Sequence, residues 1–357
     1  MRGGDRGAGG GTNEPCTAIS RRALLRAGTL VAVVAPLAAA CTGQPPPPPP
    51  DPLQPMLTAA TRDAAVAKAA AATFTDNGPT LAVIAAVRLQ QAKALRAEVN
   101  RAAGVPANGT PSATPTTTGK PPKLTDESTV TAQLLHGLTT AQRQAAALLP
   151  RLPRYRTGLV GSVAAGCASL AEALDSKPIT VTSATSATPK PSGGTATLNG
   201  STSSATPSAN TPLAADTATA LQHALGAENA ALWLYGTASA FVSGSAEAEL
   251  DAAMNAVQNL RDATGQRLST GGVTPQPAQP AYLVPTPVTN QPTALAALAV
   301  AESDATVAWR SVLEHTNDRE LRAAALAALV DSAVRQTRWR RLSGQSPASV
   351  AMPGSVA

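Results

Sequence analysis

The chain has 357 residues, a formal net charge of +6 and only 2% aromatic residues, with 31 prolines and 27 glycines. It is long enough for more than one helical bundle, but its cores must be built from small aliphatic side chains. No long basic block occurs, which disfavours nucleic acid as a partner. The nearest candidate, Arg338-Trp339-Arg340-Arg341, reads as the cationic end of a helix.

The N-terminus carries an address. Ser20-Arg21-Arg22-Ala23-Leu24-Leu25-Arg26 opens an apolar run, Ala27 to Ala40, that ends at Cys41. A charged start, a short apolar run and small residues before a cut site make a secretory signal, and the run is too short to span a bilayer. Arg21 and Arg22 resemble a twin-arginine (Tat) export motif. Leu37-Ala38-Ala39-Ala40-Cys41 resembles a lipobox, which implies a lipidated Cys41 at the start of the mature chain. The expected location is the outer face of the cell membrane, with the membrane itself a partner through the lipid anchor. Six prolines, Pro45 to Pro50, would then form an extended spacer of about 19 Å at about 3.1 Å per residue. Once Cys16 leaves with the signal and Cys41 takes lipid, Cys167 alone remains, so no intramolecular disulfide can form. Its apolar stretch, GSVAAGCASLAEAL, makes it a small core residue rather than a nucleophile.

Alanine-rich helical stretches follow at about 53–74 and 79–103, then an irregular Pro/Thr/Ser-rich insert at 104–128, then helices at about 129–149 and 154–175. Residues 176–213 are a Ser/Thr/Pro-rich linker of a composition that suits O-glycosylation. The segment 214–343 reads as four helices, about 214–242, 246–270, 293–316 and 318–342, with Asp318 an N-cap and Gly271-Gly272 a helix end. Residues 344–357 read as a disordered tail. The fold class is all-α. A short loop, a long proline-rich crossing and a second short loop give the connectivity of a ferritin-like four-helix bundle. The first helical region repeats this rhythm loosely, which suggests a duplicated bundle: LRAEV at 95–99 parallels LRDAT at 260–264.

Within 214–343, AENAALWLYG (227–236), NLRDA (259–263), PAYLVPTPV (280–288) and AVAESDATVAWRSVL (299–313) resemble an uncharacterised ferritin-like domain family of actinobacterial exported lipoproteins. The resemblance implies a ferritin-like fold and no established activity. It includes the Glu-x6-Tyr element of the first helix, here Glu228 and Tyr235.

A di-iron bundle needs one Glu from each of two helices and Glu-x-x-His from each of the other two. Glu228 and Glu302 fall on inner stripes and could supply the single carboxylates. The second helix has Arg261 on its inner stripe, and the fourth offers only Asp331, with Val334 where a His would stand. The expected polar core is therefore Glu228, Tyr235, Arg261, Glu302 and Asp331, with the Arg261 guanidinium facing both glutamates in place of a metal. A metal held by Glu228 and Glu302 is the less favoured alternative. The aromatic set Tyr235, Trp233, Trp309 and Trp339 reads as core rather than as a redox chain.

No catalytic motif or cofactor fingerprint occurs. The expected role is a non-catalytic envelope module that binds an envelope protein or a small ligand. The alternatives are a metal- or oxidant-handling bundle and a carrier of a lipophilic small molecule, the last to be favoured by an elongated apolar cavity.

Overall fold

The computed structural model describes residues 49–105, 124, 126–175, 212–284 and 286–355. The expected signal (Arg21, Arg22), the lipidation site Cys41 and most of the 176–213 linker lie outside the described residues.

Eight α-helices occur, and no strand is found among the described residues: α1 (Gln54–Thr73), α2 (Gly78–Ala102), α3 (Glu127–Leu148), α4 (Arg154–Asp175), α5 (Ala215–Ala238), α6 (Glu247–Thr270), α7 (Gln291–His315) and α8 (Arg319–Leu342). The protein is all-α. Local chemistry sets the helix starts. Pro stands in the first turn of α1, α2 and α7, where its missing N–H costs nothing. Asp126 caps α3 by accepting from the Thr129 amide at 2.8 Å. Asn290 and Thr293 form a reciprocal capping box on α7. Asp318 caps α8 by accepting from the Leu321 amide at 2.6 Å, as its position in the sequence leads one to expect.

In the first half α1 packs on α2 and α3, and α4 on α2 and α3. In the second half α5 packs on α6 and α7, and α7 on α8. Within each half the long connection falls between its second and third helices, α2 and α3 or α6 and α7. The two halves are not separate bodies: residues 50–357 form one compact unit. Helix α4 is the shared wall, packing against α7 and α8 as well as its own bundle. One apolar core runs from Leu53 and Met56 through Val160 and Val163 to Leu313 and Leu329. A second cluster, around Leu234, Leu250, Leu298 and Trp339, fills the far end of α5–α8.

Two glycines make α4 fit this role. A Cβ on Gly161 would stand 2.4 Å from Leu313 Cδ1 of α7, and one on Gly166 would stand 2.4 Å from the Ala351 carbonyl oxygen. Helix α4 is also the one described helix long and apolar enough to cross a membrane, but most of that stretch is buried inside the protein.

The C-terminal tail differs from expectation. Residues 345–355 are not loose but lie along the helices. The Ser162 hydroxyl donates to the Pro353 carbonyl at 2.6 Å, and the Gln91 amide donates to the Ala351 carbonyl at 3.0 Å. Arg310 of α7 also bonds the Ser355 hydroxyl. The tail thus ties α2 and α4 together through its backbone and reaches α7 through the Ser355 side chain.

Candidate functional site

The α5–α8 core contains a polar centre. Glu302 of α7 is fully buried, and every bond it makes is charge-assisted. Arg335 of α8 grips it with two parallel hydrogen bonds, Nε to Oε1 at 2.7 Å and Nη2 to Oε2 at 3.0 Å. The Tyr235 hydroxyl of α5 donates to Oε1 at 2.6 Å, and the Trp339 indole donates to the Tyr235 oxygen at 2.9 Å. The two rings meet nearly edge to face, with centroids 6.0 Å apart. Ser332, one turn before Arg335, accepts from its Nη2 at 3.1 Å. Burial opposes the Arg335 charge, but the Glu302 carboxylate outweighs it and raises the guanidinium pKa. Burial, and then the Glu302 charge, push the Tyr235 phenol well above its ordinary value.

Glu228 of α5 is also buried, 1% exposed, and neither carboxyl oxygen has a hydrogen-bond partner among the described residues. Thr264 of α6 and the Trp309 indole of α7 face it without hydrogen-bond geometry. The Thr264 hydroxyl donates instead to the Leu260 carbonyl, and Trp309 Nε1 has no partner. Burial pushes the Glu228 pKa up to about 8. At neutral pH the group is a neutral acid, which lowers the cost of burying it.

Three of the five expected core residues, Glu228, Tyr235 and Glu302, therefore come together; Arg261 and Asp331 do not. Arg261 leaves the inner stripe of α6 at its edge. Its side chain is one-third exposed and bonds its neighbour Asp262, Nε to Oδ1 at 2.9 Å. The long side chain reaches water and a wet partner there, so it avoids desolvation. The cation facing Glu302 comes from α8 instead. Asp331 is exposed and lines a separate hollow with Arg143 and Arg322. Burial of its carboxyl raises its pKa, against the pull of Arg335 one turn away.

The residues present do not fit a di-metal centre. Arg335 and Tyr235 occupy both Glu302 oxygens, Glu228 favours its proton, and no group of three His, Cys, Asp or Glu side chains able to hold a metal occurs among the described residues. His136 is exposed on α3, His223 lines an outer groove, and His315 Nδ1 lies 2.8 Å from the Ser311 carbonyl.

The first bundle holds a second buried ion pair. Asp63 of α1 accepts from Arg88 Nη2 of α2 at 2.8 Å, and both side chains are buried. Arg88 Nη1 donates to Gln91 Oε1 at 2.7 Å and to Cys167 Sγ at 3.1 Å. Burial raises the Cys167 pKa, with Arg88 pulling the other way. Cys167 is thus a packed thiol, and its place agrees with a core role.

On the outer face, α5 and α7 frame a half-open groove. One part, of about 290 Å³, is lined mainly by apolar groups, including Trp233, Leu234, Ala297 and Val300, and is flanked by Tyr282, Leu283 and Val284 of the α6–α7 crossing. A second part, of about 540 Å³, holds His223, His315, Asp216 and Asp304. Ala227 and Asp304 line both parts. Three of the large hydrophobic residues exposed among the described residues, Leu283, Val300 and Val307, lie on this groove.

Residues 220–357 match a family described as Domain of unknown function (DUF4439). The matched region thus takes in the Glu302–Arg335 pair, Glu228, the docked tail and all of the groove lining except Asp216 and Thr219, while α1–α4 lie outside it. A solved structure similar to this chain is that of a conserved hypothetical protein, rv2844, from Mycobacterium tuberculosis. The identity is 32%, over 36% of this chain and 98% of that one, with a TM-score of 0.35. No curated protein matches.

Proposed function

We propose that the protein is an exported, membrane-anchored, non-catalytic binding module whose DUF4439 region is a ferritin-like bundle with an arginine in place of a metal. The observation that carries this reading is the Arg335 fork on Glu302. A guanidinium held by both oxygens of an inner carboxylate neutralises it without leaving a coordination position. The short–long–short connections of α5–α8 support the ferritin-like part. The Arg21-Arg22 pair and the Ala40-Cys41 junction support Tat export and lipid attachment at the outer face of an actinobacterial membrane.

The test is metal analysis of protein recovered from the envelope of its natural host type, beside a Cys41→Ser variant. The expected outcome is a folded, metal-poor protein in the membrane fraction, released into the medium by Cys41→Ser. Stoichiometric iron, manganese or zinc would overturn the non-metal reading. Unchanged membrane retention of the variant would overturn the anchor.

A second reading, a carrier of a lipophilic small molecule, is favoured by one observation, the apolar groove between α5 and α7.

A further inference from the structure

We propose that the α5–α7 groove is a binding site for a cationic amphiphile, an unbranched apolar chain ending in a protonated amine, with Asp304 as its counter-ion. This rests on the binding-module reading and names the class of ligand.

The groove has the size and lining of a ligand site. Its apolar part is close to the lower end of the range for small-molecule pockets, about 300–1,000 Å³. It is made of alanines on two facing helices with Trp233 and Tyr282 at one side, their rings 6.1 Å apart. Alanine keeps the floor shallow and smooth, which suits a thin chain rather than a bulky ring system. Leu283, fully exposed, stands at the edge with no packing role. A soluble surface does not ordinarily gather such residues in one place without something to cover them.

The polar part fixes the sign of the head group. Among the described residues, no lysine or arginine lines either part of the groove. Asp216 is already neutralised by Arg154 and accepts from the Thr217 amide at 2.9 Å. His315 is turned onto the Ser311 carbonyl. Asp304 is different. It stands where the apolar and polar parts meet, and it makes no hydrogen bond or ion pair among the described residues. Asp304 is exposed at this junction, and partial burial of its carboxyl raises its pKa, so a cation seated beside it would favour its charged form. An amine placed there leaves its chain along Ala227, Ala230 and Ala297 toward Trp233. An anionic head group would meet an uncompensated carboxylate instead, and a neutral one would leave Asp304 unpaired.

The experiment uses the full chain carrying Cys41→Ser, exported and purified without detergent. Isothermal titration compares dodecylamine, dodecanol and dodecanoate, each kept below its aggregation concentration. Dodecylamine is expected to bind about tenfold more tightly than either of the others. Asp304→Asn is expected to erase that preference while leaving dodecanol binding unchanged. Ala230→Phe, which fills the groove, is expected to abolish binding of all three, with helicity by circular dichroism as the check that both variants fold. Equal affinity for the amine and the alcohol would overturn the cationic head group and leave a groove that binds apolar chains. Amine binding that survives Ala230→Phe would place the ligand elsewhere and overturn the site. Failure of all three probes to bind the folded wild-type chain would overturn the site and remove the support that the groove lends to the carrier reading.

Discussion

The two bundles partner their buried acids differently. In α1–α4 the buried carboxylate Asp63 accepts from buried Arg88 through one oxygen and from exposed Arg62 through the other, and Gln91 and Cys167 take up Arg88 Nη1. In α5–α8 two buried carboxylates, Glu228 and Glu302, lie near Arg335, while the other buried arginine of α8, Arg322, spends its donors on the carbonyls of Thr316, Leu149 and Leu152. Arg335 and Tyr235 satisfy Glu302, and Glu228 is left without a hydrogen-bond partner among the described residues. The Asp63–Arg88 pair holds two helices in register. Glu228, with no such partner, keeps its proton and gives the second bundle a pH dependence.

The largest way to break this comparison is to remove either arginine. Arg335→Leu strands the Glu302 charge, and Arg88→Leu leaves the buried Asp63 with only the exposed Arg62. Each should lower unfolding stability by about 3–5 kcal/mol, read by denaturant titration. Loss in one bundle should carry over to the other, because α4 belongs to both and the core is continuous. Two separate unfolding transitions in the wild-type chain would contradict that.

Glu228 sharpens the comparison through pH. Its folded pKa of about 8 lies above the ordinary 4.5, so between these values the folded chain keeps a proton that the unfolded chain releases. The contribution of Glu228 therefore falls as pH rises, by about 1.4 kcal/mol per pH unit across that window, and levels off above it. Glu228→Gln should remove this slope and leave the protein more stable than wild type near pH 8. Stability curves against pH for the two proteins provide the check. A Glu228→Gln curve parallel to the wild-type curve would rule out a neutral buried Glu228.

Deleting residues 345–357 leaves Gln91 and Ser162 without their backbone partners. A loss of about 1–3 kcal/mol is expected, read as a lower midpoint in urea. The smallest effect belongs to Arg261→Leu, within about 0.5 kcal/mol, because its side chain pairs at the surface.

These ranks show what the sequence could reveal. Glu228, Tyr235 and Glu302 were legible because α5 and α7 keep a steady helical period with acids on the apolar stripe. The idea of an arginine opposing them was also legible, but not which one. Arg261 falls one position to the side of Leu260, near the edge of the α6 stripe, where a long side chain can turn out to solvent. Arg335 was hidden by the register taken for α8, which placed Val334 inward. The stripe that is buried runs Leu321, Ala325, Ala328, Ser332, Arg335 and Trp339. Asp63 carried a similar signal on α1, between Ala60 and Ala67 of the buried stripe, and its sequence-distant partner Arg88 lies among Leu81, Ile84 and Leu95 on α2. The tail left no such pattern. It docks through the carbonyls of Ala351 and Pro353, groups that every residue carries.

The account turns on Arg335 being the cation of the second core. Equilibrium unfolding of Arg335→Leu beside Arg261→Leu tests that directly. A loss of about 3–5 kcal/mol for Arg335→Leu with little change for Arg261→Leu is the expected result. Equal and small losses, or a larger loss for Arg261→Leu, would contradict it.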